Sequence, residues 1–247
     1  MQNSIADHTE TRQRIGLIQS RGLGDIIIAL PIAKWYHQLG YRVLWPIDEK
    51  FHSSFKNTID YVDFIPFKFE ATLAGFYTNP LKILHENKCV KIITLYSYLS
   101  KFPIHRIDLY ASLTFDQYKY AISNVPFEEK WHLIIRRNKN REDNLFNKLV
   151  DQENYIVIQE QGSNFKSNPI IPNEFKNYKK IYINESTDSI FDWLKVIENA
   201  KSVFLIDSCF ANLVEQLNLK IDKYFIFRSQ CNFTPIMKSQ WKFINST

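Results

Sequence analysis

Ser20-Arg21-Gly22-Leu23-Gly24-Asp25 places two glycines and a carboxylate between a short apolar run, Ile15 to Gln19, and a helical pattern. A strand, a glycine turn and a helix in that order set backbone N–H groups and a helix N-terminus at the carboxyl edge of a parallel sheet, where open α/β sheets bind ligands and above all anions. The glycines are informative because the chain otherwise avoids them. There are 6 in 247 residues, where average usage near 7% would give about 17. Three of the six, Gly16, Gly22 and Gly24, stand close together at this turn. A dinucleotide-binding G-x-G-x-x-G would need a third glycine at position 27, which is Ile27, and no G-x-x-x-x-G-K-[ST] string occurs. Asp25 is unusual beside a phosphate, which it would repel. Two roles are open to it: a helix N-cap favoured by the helix dipole, or a general base aimed into a cleft.

The elements that must position these residues alternate between strand and helix signals. Asp25 to Leu39 reads as a helix stopped by Gly40, followed by strands at Arg42–Trp45, Val62–Ile65 and Lys91–Leu95. Further on, strands are expected at Tyr155–Gln159, Lys180–Ile183, Ser202–Ile206 and Tyr224–Phe227, with helices at Ser189–Ala200 and Ser208–Leu217. This is the pattern of βαβ units and parallel sheets. The charged stretch Arg136, Arg137, Lys139 and Arg141 reads as a solvated linker between two halves. The expected architecture is α/β, with two Rossmann-like domains, 1–140 and 141–247, facing a cleft.

Arg21-Gly22-Leu23-Gly24-Asp25-Ile26-Ile27 through Leu30-Pro31 resembles the opening motif of the heptosyltransferase family, glycosyltransferase family 9. In the same order along the chain, Gln161-Gly162-Ser163 with Lys166 and Pro169 resembles that family's phosphate-contacting loop. Ser189 to Leu194 leading to Glu198-Asn199-Ala200 resembles its helix before the last nucleotide-binding strand. Val203 to Ser208 followed by Ala211-Asn212-Leu213 resembles its strand-D-[ST]-G-x-x-H segment, with Cys209 in place of the glycine and Asn212 in place of the histidine. The resemblance implies a GT-B fold and a metal-independent, inverting transfer of a sugar from a nucleoside-diphosphate donor to a glycan acceptor of the lipopolysaccharide type, with no cofactor. Asp25 matches the family's base. Gly162, Ser163, Lys166, Glu185, Asp207, Ser208, Cys209 and Asn212 fall on the donor side, and Gly22, Gly24 and Arg106 on the acceptor side. The leaving diphosphate would then be stabilised by Lys166, Ser163 and the backbone N–H groups at Ser208–Cys209.

Other features narrow the class. His8, His37, His52, His85, His105 and His132 show no metal-ligand spacing, and there is no D-x-D string. Cys89, Cys209 and Cys231 are scattered, which suits a reducing compartment. The longest apolar run, Ile26 to Ala33, is too short for a membrane span and is interrupted by Pro31, and the first residues carry no apolar signal segment. A cytoplasmic protein, either free or peripheral on the inner membrane face, is expected. The net charge of +5 suits anionic partners without selecting one. It leaves open a transferase acting on modified bases in DNA, and the Cys209 and Asn212 departures leave open a nucleotide-binding module without catalysis.

Overall fold

The computed structural model describes residues 12–96, 106–162, 166–227 and 235–244; of the expected site residues, Ser163 lies outside them. The first half contains β1 (Arg14–Ile18), α1 (Leu23–Gln38), β2 (Arg42–Asp48), α2 (Glu49–Lys56), β3 (Asp63–Phe67), α3 (Asn79–Glu86) and β4 (Lys91–Thr94). These four strands form one parallel sheet in the order β3-β2-β1-β4. Ile15, Leu17 and Ile18 of β1 are fully buried, as expected of a central strand covered on both faces. Gly16 makes room for Leu84 on α3: a Cβ there would come 2.6 Å from its Cδ1, so that side chain would have to shift.

Two helices follow, α4 (Ile107–Ser112) and α5 (Phe115–Ser123), then α6 (Lys139–Leu149). Thr114 and Gln117 close a reciprocal capping box at the start of α5. The second half has β5 (Tyr155–Ile158), β6 (Lys179–Tyr182), α7 (Leu194–Glu198), β7 (Ser202–Ile206), α8 (Cys209–Gln216), β8 (Asp222–Ile226) and β9 (Lys242–Ile244). Its five strands are parallel, in the order β6-β5-β7-β8-β9. The helix expected over Ser189–Ala200 is a tight 3-10 turn, Ile190–Trp193, running into α7. Phe191, Asp192, Trp193 and Leu194 are all buried.

The stretch expected to be a solvated linker is tied down. Arg137 pairs with Glu142 and, at 2.7 Å, with Glu198, while Arg141 pairs with Asp188 and, at 2.7 Å, with Asp192. Residue 140 therefore falls inside α6, which packs against the Ile190–Trp193 turn and α7. A single apolar cluster runs from Ile15, Trp45 and Phe55 to Trp193, Phe225 and Trp241, and α1 packs on α8.

The C-terminal segment also joins the halves. The Ile236 N–H donates to Asp116 on α5 at 2.9 Å, and Lys130 Nζ donates both to the Ile236 carbonyl and to Asp116, each at 2.6 Å. Glu215 on α8 accepts from the Lys238 and Ser239 N–H groups at 2.5 and 2.9 Å, from Trp241 Nε1 at 2.8 Å and from the Ser239 hydroxyl. Burial works to raise the Glu215 pKa, but these donors outweigh it and hold the carboxyl below its usual range. A carboxyl whose pKa is lowered by folding adds stability above its unfolded pKa, near pH 4, and loses that contribution as pH falls through the folded value. Acidification below about pH 4 is therefore expected to release the C-terminal segment, read as a change in Trp241 fluorescence. In Glu215→Gln that acid-linked step disappears; an unchanged acid profile would place the titration elsewhere.

Candidate active site

The backbone leaving β1 is pinned before it turns. Gln19 and Ser20 are fully buried. The Gln19 carbonyl accepts from Trp45 Nε1 at 3.0 Å and its amide donates to the Arg21 carbonyl at 2.7 Å. The Tyr96 hydroxyl accepts from the N–H groups of Ser20 and Arg21 at 2.9 and 3.2 Å. Gly22, at φ +86°, is the N-cap of α1 and supplies no side-chain cap. Asp25 is thus in the first helical turn and is not the cap. Its carboxylate folds back over Gly22, where a Cβ would stand 2.7 Å from Asp25 Oδ2. Glycine is favoured at that position by its left-handed φ.

Asp25 has a partner that sequence reasoning missed. Lys119 on α5 is completely buried, and its ammonium lies 2.9 Å from Asp25 Oδ1. The same Nζ donates to Gln19 Oε1 at 2.9 Å and to the Leu95 carbonyl at 3.0 Å. Three acceptors satisfy the three ammonium protons, which is the condition for burying a lysine charge. The Asp25 side chain keeps 27% of its surface exposed. One face of the carboxylate is held by Lys119 and the other is open. The repulsion a bare carboxylate would exert on a nearby phosphate is met by this ammonium.

The second half brings its own turn to the same place. Ser208 is the N-cap of α8, accepting from the N–H groups of Phe210 and Ala211 at 3.2 and 3.5 Å. Its hydroxyl proton goes to Gln159 Oε1 at 2.5 Å, so the side chain is committed to the cap. Gln159 follows β5 and Ser208 follows β7, so the bond links the ends of the two strands between which the sheet order reverses, the usual ligand position in such sheets. The N-termini of α1 and α8 abut: a Cβ on Gly24 would lie 3.5 Å from the Cys209 nitrogen and 3.6 Å from Asn212 Nδ2. Burial pushes the Cys209 thiol up to about 12, so it is protonated at neutral pH and is no nucleophile. Asn212 is buried; its Nδ2 donates to the Ser208 carbonyl at 2.9 Å, and its Oδ1 has no hydrogen-bond partner among the described residues.

The remaining expected residues are distributed as follows. Gly162 follows Gln161, which forms an antiparallel bridge with Lys166, and the Lys166 side chain is exposed. Asp207 is half-buried beside Ser208; its charge, with those of Asp116 and Glu215, favours the Lys130 ammonium, whose pKa burial nevertheless pulls below the usual lysine range. Glu185 is exposed after β6, the strand beside β5 on the side away from β7. Arg106 caps α4 and its guanidinium is held by Asp108 at 2.9 and 2.6 Å. Gly22, Gly24, Asp25, Ser208, Cys209 and Asn212 therefore converge at the α1–α8 junction. Among the described residues no group of three or more His, Cys, Asp or Glu side chains could hold a metal ion, and no helix is long and apolar enough to cross a membrane.

No protein-family profile matches the sequence, and no curated protein sequence matches it significantly. Solved structures do match in three dimensions. The family 9 glycosyl transferase from Veillonella parvula DSM 2008 superposes with a TM-score of 0.61 at 12% identity, covering 94% of this chain and 87% of that one. E. coli heptosyltransferase WaaC, solved with ADP-2-deoxy-2-fluoro heptose, gives 0.54 at 10% identity, covering 94% and 92%. E. coli ADP-heptose lps heptosyltransferase II gives 0.56 at 10% identity, covering 94% and 90%. Over nearly its whole length the chain is therefore similar in fold to glycosyltransferases of family 9.

Proposed function

We propose that the chain is an inverting glycosyltransferase of GT-B type, in which two Rossmann-like halves close a cleft over a nucleoside-diphosphate sugar and a glycan acceptor. The observation that carries this reading is the junction of α1 and α8, where a partly open carboxylate and the N-terminus of the helix after β7 meet across Gly24. Asp25 takes the acceptor hydroxyl proton as that oxygen attacks the anomeric carbon. The glycosidic bond to the diphosphate breaks on the opposite face, which inverts the configuration. The departing negative charge is met by the α8 N-terminus, the Gly162 N–H and Lys166. The junction of the halves falls ahead of α6, near Asn138, with the acceptor side before it and the donor side after it. The fold likeness to enzymes solved with ADP and an ADP-heptose analogue makes ADP the first nucleotide to test.

The test is calorimetric titration of the whole chain with ADP, GDP, UDP and CDP, followed by a donor-hydrolysis assay with the sugar nucleotide of the base that binds, with and without EDTA. Saturable binding of one diphosphate and hydrolysis that survives EDTA are expected. Binding without hydrolysis would leave a nucleotide-binding module, and a strict divalent requirement would overturn the metal-independent mechanism. Lys166→Ala is expected to weaken the diphosphate by about tenfold, as befits a lost charge-assisted contact of about 1.5 kcal/mol, while binding of the bare nucleoside hardly changes. Equal losses for both ligands would remove Lys166 from the phosphates.

A further inference from the structure

Arg21 differs from the other arginines around it. Arg42, Arg106, Arg137 and Arg141 each hold a carboxylate. The exposed Arg21 guanidinium makes no hydrogen bond or ion pair with any described residue, and instead lies over the Phe69 ring, 4.9 Å from its centroid. The platform is itself fixed. Phe69 meets Phe76 edge-on at 5.0 Å, Phe76 meets Tyr96 edge-on at 5.4 Å, and the Tyr96 hydroxyl returns to the Arg21 backbone N–H at 3.2 Å. This closed ring of contacts holds the arginine by its backbone and by its face. The planar edge of the guanidinium, with its five donors, stays free. A guanidinium left exposed in this way can bind a carboxylate or phosphate through two parallel hydrogen bonds. The next residue is Gly22, over which the Asp25 carboxylate is folded.

We infer that Arg21, stacked on Phe69, is a specificity-determining residue that binds an oxyanion carried by the acceptor, so that the molecule glycosylated bears a carboxylate or phosphate near its reacting hydroxyl. This deepens the transferase reading and rests on it. The two groups hold the two ends of one acceptor: Asp25 accepts the hydroxyl proton, while Arg21 attracts the anion. Arg106, expected from sequence to do this, has its guanidinium occupied by Asp108.

The test is an NMR titration of the whole chain with ADP saturating, so that the donor phosphates are already occupied. The arginine Nε–Hε resonance lost in Arg21→Lys is followed as inorganic phosphate, glucuronate or glucose is added. Saturable shifts with phosphate and glucuronate, and none with glucose, are expected. Phosphate alone would assign a phosphorylated acceptor, and glucuronate alone a sugar acid. In Arg21→Lys and Phe69→Leu, followed by the Gly22 and Gly24 amide resonances, affinity for the active anion is expected to fall about fivefold, in line with a lost cation–π contact near 1 kcal/mol. A resonance unmoved by either anion, a response seen only without ADP, or unchanged affinity in both variants would overturn the proposal. Failure of ADP to bind would be seen first and separately, and would fall on the transferase reading.

Discussion

Asp25→Asn is expected to lower sugar transfer by about 10²–10⁴-fold, the usual contribution of a positioned base, with diphosphate affinity nearly unchanged. The size of the effect follows from the surroundings of the side chain. Lys119 Nζ is a donor 2.9 Å from Oδ1, so an asparagine will turn its carbonyl oxygen toward the lysine. Its NH₂ group is then presented at the open face, over Gly22. A hydrogen-bond donor with no basicity stands where a proton acceptor is needed, while shape and the contact with α5 are kept. Single-turnover measurement of transfer separates the chemical step from binding, and calorimetry with ADP reads the donor side. Wild-type turnover in the variant would reduce Asp25 to an anchor between α1 and α5, and the reaction would need another base.

Much of the scaffold was legible because it is built from local signals. Ser202–Ile206 is a strand with the boundaries expected, a short aliphatic and aromatic run closed by Asp207-Ser208. Gly40, at φ +90°, ends α1 as expected, with Tyr41 N–H donating back to the Tyr36 carbonyl at 3.1 Å. The glycine turn was legible for the same reason, because the left-handed φ at position 22 favours glycine. What escaped was long-range. Lys119 lies on α5, in a stretch whose aromatic residues carry no sign that one lysine turns inward to Gln19 and Asp25. Arg137 and Arg141 look like solvent charge until Asp188, Asp192 and Glu198 fold against them. Two signals were present and unread: the capping box Thr114-Phe115-Asp116-Gln117, which marks α5, and an internal echo. Ile18-Gln19-Ser20-Arg21-Gly22 and Ile158-Gln159-Glu160-Gln161-Gly162 follow the first strand of each half. In each, the glutamine amide donates to the carbonyl two residues on, at 2.7 and 3.3 Å. One glutamine oxygen then receives Lys119 and the other Ser208, so the echo locates both halves of the site.

Lys119→Met is expected to cost about 3–5 kcal/mol of stability, the range for removing one partner of a buried ion pair, with the lower end favoured because Asp25 is partly exposed to water. Methionine fills much of the same volume but returns no donor to Gln19 Oε1 or the Leu95 carbonyl, and unpaired buried acceptors are costly. Loss of stability alone would not show that the lysine serves Asp25, since it could arise entirely from those two neutral acceptors. The double variant with Asp25→Asn separates the contributions. If Lys119 holds the carboxylate, removing the Asp25 charge relieves part of the penalty. The two changes then couple by about 1–2 kcal/mol in chemical denaturation, within the range for contacting residues. Residual transfer in Lys119→Met should fall through kcat rather than KM, because the lysine touches the base and not the donor. Additivity to within about 0.5 kcal/mol, together with an unchanged kcat in the folded variant, would make Lys119 a packing feature of α5 and leave Asp25 to be oriented by the α1 turn alone.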